Sequence, residues 1–310
     1  LGSVSVNTTL DSWTSGGARR AISGSSHELF VRQDGPIEGK PVTLLHGFPA
    51  SSFDWAGVMP NLTGTGYRVT TLDFLGYGNS DKPYPYRYSL IEQASLVHAV
   101  WRDLGVDRTA LVAHDYGVSV AQELLSRDPG RIESMAWLNG GMFPDLHRPA
   151  DFQRHLAELS GDDAEAYITE NRYRKALLGV FGRPVPDHTL GEMWADFCKS
   201  GGVRVAPALL GYMAERREHA ARWSRAVESY SGPQTFIWGP ADPISGSHVL
   251  PRIRDKAPLA SIIVLDNPPP VGHFPQVEAP KLVGSLLVKH LQDAANDNRA
   301  ARRRQGRSHV

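Results

Sequence analysis

Short apolar runs alternate along this chain with longer stretches of helical periodicity. Residues 41–46, 67–72, 109–114 and 134–138 are such runs, and 233–238 and 261–265 follow after a gap. Each is bounded by Gly, Pro or Asp, as in strands covered on both faces. Between them, residues 91–104, 118–127 and 281–292 carry apolar positions at helical spacing. Strands alternating with helices predict an α/β fold, a mainly parallel sheet with helices on both faces.

The alternation stops between residues 141 and 230. That block contains helical patterns at 151–159, 163–178 and 207–223 and no convincing strand. It predicts a helical cap inserted between two strands of the core sheet. The chain then divides into core residues 21–140, the cap at 141–230 and a second core portion at 231–294. Residues 1–20, rich in Ser, Thr and Gly, predict a flexible lead-in. Residues 295–310, with Arg299, Arg302, Arg303, Arg304 and Arg307, predict a basic, disordered tail.

Composition narrows the function classes. Lys+Arg and Asp+Glu both number 33, so nothing global points to nucleic acid or an anionic membrane. The one cysteine, Cys198, excludes an intrachain disulfide and reads as buried filler rather than a reactive thiol. No apolar run approaches the roughly 20 residues of a membrane span. The chain start lacks the basic-then-apolar form of a signal peptide, so a cytoplasmic location is expected.

The chemistry centres on Ala113-His114-Asp115-Tyr116-Gly117, which follows a strand and precedes a helix. Small residues two positions either side of Asp115 permit the tight strand-to-helix turn that lifts a nucleophile above a sheet. Most such turns carry Ser; here the residue is Asp, whose ionised form the helix N-terminus favours. Alone, Asp115 also fits a helix cap. Two later motifs tip the balance. Trp238-Gly239-Pro240-Ala241-Asp242-Pro243 puts a second carboxylate after a strand, and Val271-Gly272-His273-Phe274-Pro275 puts a histidine on a loop at the same sheet edge. The chain order nucleophile, acid, histidine matches a hydrolytic triad. In His46-Gly47-Phe48-Pro49 the backbone N–H of Phe48 is placed to pair with that of Tyr116 as an oxyanion hole.

Residues 73–83 are Gly-rich, but Gly76-Tyr77-Gly78 runs on to Asp81 and no Gly-Lys-Ser/Thr occurs, so phosphate binding is rejected. There is neither a Cys/His cluster nor a His-Glu-x-x-His motif, so no metal and no cofactor is expected.

From about Glu28 to Leu291 the chain resembles the α/β-hydrolase family. His46-Gly47-Phe48-Pro49, the Gly76 to Pro83 stretch and the His114-Asp115-Tyr116-Gly117 turn resemble its epoxide hydrolase and haloalkane dehalogenase branch. Leu138 to Pro144 and Ala121 to Leu125 are also similar to the mesoderm-specific-transcript-like hydrolases. The branch resemblance implies a cofactor-free reaction in which Asp115 forms an alkyl ester that water, activated by His273 and Asp242, then hydrolyses. Dehalogenases of the branch hold halide with a Trp after the nucleophile, where this chain has Tyr116. Fluoroacetate-type relatives place Arg beside the nucleophile, where Tyr116 and Val118 stand here. Epoxide hydrolases protonate the leaving oxygen with cap tyrosines. Tyr212 matches their late tyrosine, and the early one is Tyr167 or Tyr173. The resemblance therefore implies an epoxide hydrolase taking a small apolar epoxide and water. The alternatives are a dehalogenase-type hydrolase, or a hydrolase-fold ligand-binding protein with weak activity.

Overall fold

The computed structural model describes residues 8–307, with side chains to 299. Eight strands form one sheet in the order β1-β2-β4-β3-β5-β6-β7-β8. They are β1 (Gly17–Ala21), β2 (Glu28–Asp34), β3 (Lys40–Leu45), β4 (Tyr67–Leu72), β5 (Thr109–Ala113), β6 (Ile132–Leu138), β7 (Gln234–Trp238) and β8 (Ser261–Val264). The pairs from β4 through β3 and β5 to β8 are parallel, while β1–β2 and β2–β4 are antiparallel.

The central strands are apolar throughout because both faces are covered. Leu111, Ala113, Met135 and Trp137 join one core with residues of the helices Leu90–Asp103 and Tyr116–Arg127. Ala110, Val112, Ala136 and Leu138 join another with residues of the helices Met59–Gly64 and Pro280–Arg307. Odd and even positions of one strand thus serve opposite layers, as the period of two requires.

Residues between β6 and β7 are helical: Asp151–Leu156, Gly161–Tyr167, Glu170–Leu178, Asp187–Cys198, Gly202–Leu209 and Tyr212–Ser229. Two of the expected helices are divided. The 163–178 segment breaks at Thr169, an extended residue whose side chain caps the next helix by accepting from the Arg172 N–H. The 207–223 segment breaks between Leu209 and Tyr212. The helix Asp187–Cys198 was not foreseen.

The ends depart from expectation. Within the segment expected to be a flexible lead-in, Leu10–Ser15 is a helix and Gly17–Ala21 is the edge strand β1. Leu10 and Trp13 are buried, and the Trp13 indole N–H donates to Ser52 Oγ at 3.1 Å. Two apolar anchors outweigh the polar composition. Residues 295–307, expected to be a disordered tail, continue the helix Pro280–Arg307. Residues 1–7 and 308–310 lie outside the described residues.

The sheet register positions the site. Leu45 lies opposite Ala113, Ala113 opposite Trp137, and Leu138 opposite Ile237. The loops beginning at His46, His114, Asn139 and Gly239 therefore emerge side by side at the carboxyl edge, where open α/β sheets place their ligands.

Candidate active site

Asp115 occupies the turn between β5 and the helix Tyr116–Arg127 with φ 45° and ψ −105°. Its N–H donates to Asn139 O at 2.9 Å, and the Gly117 N–H donates to His46 O at 2.9 Å, so both neighbouring loops hold the turn. A Cβ at Gly117 would lie 2.7 Å from the carbonyl oxygens of Leu45 and His46, and one at Gly47 would lie 2.7 Å from Asp115 Cβ. The small residues in the sequence motif are thus dictated by close backbone approach. A non-glycine residue at positive φ is strained, and such strain concentrates at functional positions.

The Asp115 carboxylate is fully buried. Oδ1 accepts from the Phe48 N–H at 2.9 Å. Oδ2 has no hydrogen-bond partner and stands 3.5 Å from His273 Nε2. Tyr116 opens the following helix, so its N–H belongs to the first-turn amides that lack intrahelical acceptors. His273 Nδ1 is 2.8 Å from Asp242 Oδ2. Asp242 in turn accepts from the Ile244 N–H at 2.7 Å, Ser245 Oγ at 2.8 Å and Asn139 Nδ2 at 3.0 Å. The structure thus brings Asp115, Asp242, His273, Phe48 and Tyr116 together from separate loops.

Electrostatics favour ionisation at both ends of this row. Burial alone would raise the Asp115 carboxyl, but the close approach and charge of His273, with the charge of Arg216, hold it well below the ordinary carboxylate range. Burial would likewise raise Asp242, yet His273 and the Ile244 and Ser245 donors lower it. For His273, burial favours the neutral ring, but Asp242 and Asp115 outweigh it and push the group up to about 10. At neutral pH the resting row is carboxylate, imidazolium, carboxylate. Such a row has a carboxylate oxygen free to attack and a histidine whose basicity depends on the charge of that same carboxylate.

The three candidate tyrosines part company. Tyr212 is buried, with its ring 5.4 Å from that of Tyr116 and 6.4 Å from that of Phe48. Its hydroxyl accepts from Gln153 Nε2 at 3.2 Å, which leaves its own proton to donate. The Tyr173 hydroxyl is instead engaged by main-chain carbonyls, Pro49 O at 3.1 Å and Met193 O at 3.3 Å. Tyr167 is partly buried, packs against His155 and lies under Arg172. Neither joins the Asp115 group.

Sequence reasoning missed several polar residues. Arg216 is 1% exposed and comes from the helix Tyr212–Ser229. Its Nη2 donates to Asp115 O at 3.1 Å and lies 3.9 Å from Asp115 Oδ2, while Nε donates to Ser119 Oγ at 2.7 Å. Its guanidinium sits 4.2 Å over the Tyr212 ring. Tyr212 and Arg216 stand four residues apart on one helix face, and that spacing was the available signal. Asn139 bridges the β6 and β7 loops. It donates to Gly239 O at 2.8 Å and accepts from the Gly239 N–H at 2.6 Å. Tyr77, from the Gly-rich stretch, has a buried hydroxyl without a partner and a ring 5.3 Å from that of Tyr116. Among the described residues no group of three or more His, Cys, Asp or Glu side chains is placed to hold a metal. No helix among them is long and apolar enough to cross a membrane.

The comparisons agree with this architecture. Residues 40–177 match the alpha/beta hydrolase fold family. LipZ of Mycobacterium tuberculosis is 35% identical over 91% of this chain and 97% of its own. The mesoderm-specific transcript homolog protein of Bos taurus is 39% identical over 89% of this chain and 85% of its own. Among solved structures, haloalkane dehalogenase DbeA from Bradyrhizobium elkani superposes with a TM-score of 0.77 at 20% identity, over 91% of this chain and 99% of that one. With relatives 35% and 39% identical spanning nearly its whole length, this chain belongs to the alpha/beta hydrolase fold family and is a hydrolase.

Proposed function

We propose that this hydrolase opens a small epoxide to a vicinal diol by way of an ester on Asp115. The observation that carries the reading is the carboxylate at the turn, with Oδ2 unpartnered and His273 Nε2 3.5 Å away. Oδ2 attacks an epoxide carbon, the carbon–oxygen bond breaks, and its electron pair goes to the oxygen, which takes a proton from Tyr212. Oδ1, on the Phe48 N–H, becomes the ester carbonyl oxygen. In the second half, His273 removes a proton from water and the resulting hydroxide attacks Cγ of the ester. Negative charge develops on Oδ1, where the Phe48 and Tyr116 amides support it. The proton that His273 sheds on ester formation restores the Tyr212 hydroxyl before this step. The tetrahedral species then collapses, the diol leaves with the proton that His273 took from water, and the proton left on the Asp115 carboxyl returns to the His273 ring, which restores the resting row of carboxylate and imidazolium.

An in-line displacement needs its acid on the far side of the attacked carbon. Tyr212 comes from the helical insertion, whereas Asp115 and Phe48 come from the core, and this arrangement supports Tyr212 as that acid. In this reading the insertion acts as a cap over the site. The resemblance implies two cap tyrosines, yet only Tyr212 of the three candidates stands at the site, and this favours a second reading. In that reading the same carboxylate displaces halide, which needs no proton.

The experiment is a panel of epoxides and haloalkanes on the purified chain, with Asp115→Asn beside it. Diol formation that disappears in the variant is expected. Halide release without diol formation would transfer the proposal to dehalogenation. Turnover of neither class, by a folded protein, would refute both.

A further inference from the structure

Arg216 has one more donor group than its surroundings use. Nε is bound by Ser119 and Nη2 by the Asp115 carbonyl, but Nη1 is buried without a partner. A guanidinium that served only to brace the turn would be complete with those two bonds. A buried charge with an unmet donor is costly, so the spare group needs an explanation. Nη1 lies over the loop after β6: a Cβ at Gly141 would fall 2.3 Å from it, and glycine there leaves it room. The same loop carries His147, whose Nε2 is also buried without a partner. Burial, followed by the charge of Arg216, pushes His147 down to about 3, so its ring is neutral and can donate one hydrogen bond without adding charge.

Arg216 stands beside Asp115, with Nη2 3.9 Å from Oδ2. A leaving group departs along the line of attack, away from Oδ2, and Arg216 is badly placed to receive it. A substituent on the attacked carbon projects sideways from that line, where a guanidinium beside Oδ2 is within reach of it. Charge gives a second argument. Asp115 is the one carboxylate within 4.0 Å of Arg216 among the described residues. Ester formation abolishes that charge and would leave a buried guanidinium without a counter-ion, unless the bound group brings one.

We infer that Arg216 Nη1, with His147, receives an acid group of the substrate, so that the preferred substrates carry a carboxylate on the carbon that Asp115 attacks. This rests on the reading of Asp115 as nucleophile, and it narrows the substrate class from epoxides in general to epoxy acids.

The test separates binding from chemistry. Cyclopropanecarboxylate and cyclopropanecarboxamide mimic the ring without being opened, and their affinities for the full chain are measured by calorimetry at pH 7. The carboxylate should bind at least tenfold more tightly than the carboxamide. That preference should vanish in Arg216→Met, with folding checked by thermal unfolding. Gly141→Ala, which leaves the charge in place but displaces Nη1, should also diminish it, and serves if Arg216→Met does not fold. Equal binding of the two probes, or a preference that survives in both variants, would overturn the inference. In parallel, His273→Gln is mixed with oxirane-2-carboxylate and its carboxamide, and Asp115 is examined for the mass of each. Tight carboxylate binding without an ester from either compound would remove the epoxide reading and leave the acid subsite standing. Esters from both at equal rates, with no binding preference, would remove the subsite and leave the epoxide reading intact.

Discussion

Ester formation on Asp115 should change what His273 is. In the resting enzyme the imidazole is held up to about 10 by two carboxylates, and a protonated ring cannot activate water. Alkylation of Asp115 replaces one of those charges, 3.5 Å from Nε2, with a neutral ester. At an effective dielectric of about 20, a unit charge at 3.5 Å contributes about 5 kcal/mol, more than a thousandfold in proton affinity. His273 should therefore fall into the neutral range only once the ester exists, while Asp242 at 2.8 Å keeps the ring oriented. The first half-reaction would use an imidazolium partner and the second a neutral base, the switch being thrown by the chemistry itself. Two measurements check this. Imidazole resonances of the resting enzyme should titrate high, near 10. Decay of the alkyl-enzyme, followed by quenched-flow mass spectrometry, should accelerate with pH and level off near neutrality, because only the deprotonated ring accepts the proton. His273→Gln should form the ester and hold it, with hydrolysis slowed about 10²–10⁴-fold. An ester whose decay is independent of pH between 5 and 9, on the order of the range that brackets a neutral histidine, would refute the argument. So would equal loss of both half-reactions in a folded His273→Gln.

Further outcomes follow from the surrounding residues. Tyr212→Phe should slow alkylation of Asp115 by an epoxide, by up to about 10²–10⁴-fold, and leave hydrolysis of a formed ester nearly unchanged. Unaltered alkylation in pre-steady-state kinetics would exclude Tyr212 as the acid, and Tyr77→Phe is the variant to measure beside it. Asn139→Ala should destabilise the fold by about 1–3 kcal/mol in urea unfolding, because the buried Gly239 N–H loses its acceptor. Asp242 keeps its Ile244 and Ser245 donors in that variant, so activity should fall less than in Asp242→Ala; an unchanged stability would contradict the bridging role.

The sequence disclosed the loops that converge but not the side chains that complete them. Strands β3 to β8 were legible because each is a short apolar run ending in a turn; the Asp115 and Asp242 motifs follow such runs directly, and the His273 motif lies on the loop after the last of them. Strands β1 and β2 escaped notice. They are antiparallel strands at one side of the sheet, and Ala18, Arg19, Arg20 and Ala21 are exposed, so no apolar run marks β1. Arg216 was hidden for a different reason. Its helix also carries Arg217, Arg222 and Arg225, and apart from its spacing to Tyr212 it is burial that distinguishes Arg216. The resemblance singled out Tyr212, but Tyr167 and Tyr173 were equivalent as letters. Packing separates them, since the Tyr173 hydroxyl reaches a backbone carbonyl while that of Tyr212 meets Gln153. The same limit applies to the ends, where Trp13 and Leu10 anchor a segment whose composition is otherwise that of a linker.

The central claim is that Asp115 attacks carbon and is regenerated by water. It is tested most directly by a single turnover with enzyme in excess in heavy-oxygen water, followed by mass analysis of the peptide containing Asp115. Hydroxide adds to Cγ of the ester, so the account predicts one heavy oxygen in the Asp115 carboxylate and none in the diol of that first turnover. Label in the diol, with an unlabelled Asp115, would mean that water attacks the substrate directly and would contradict the account.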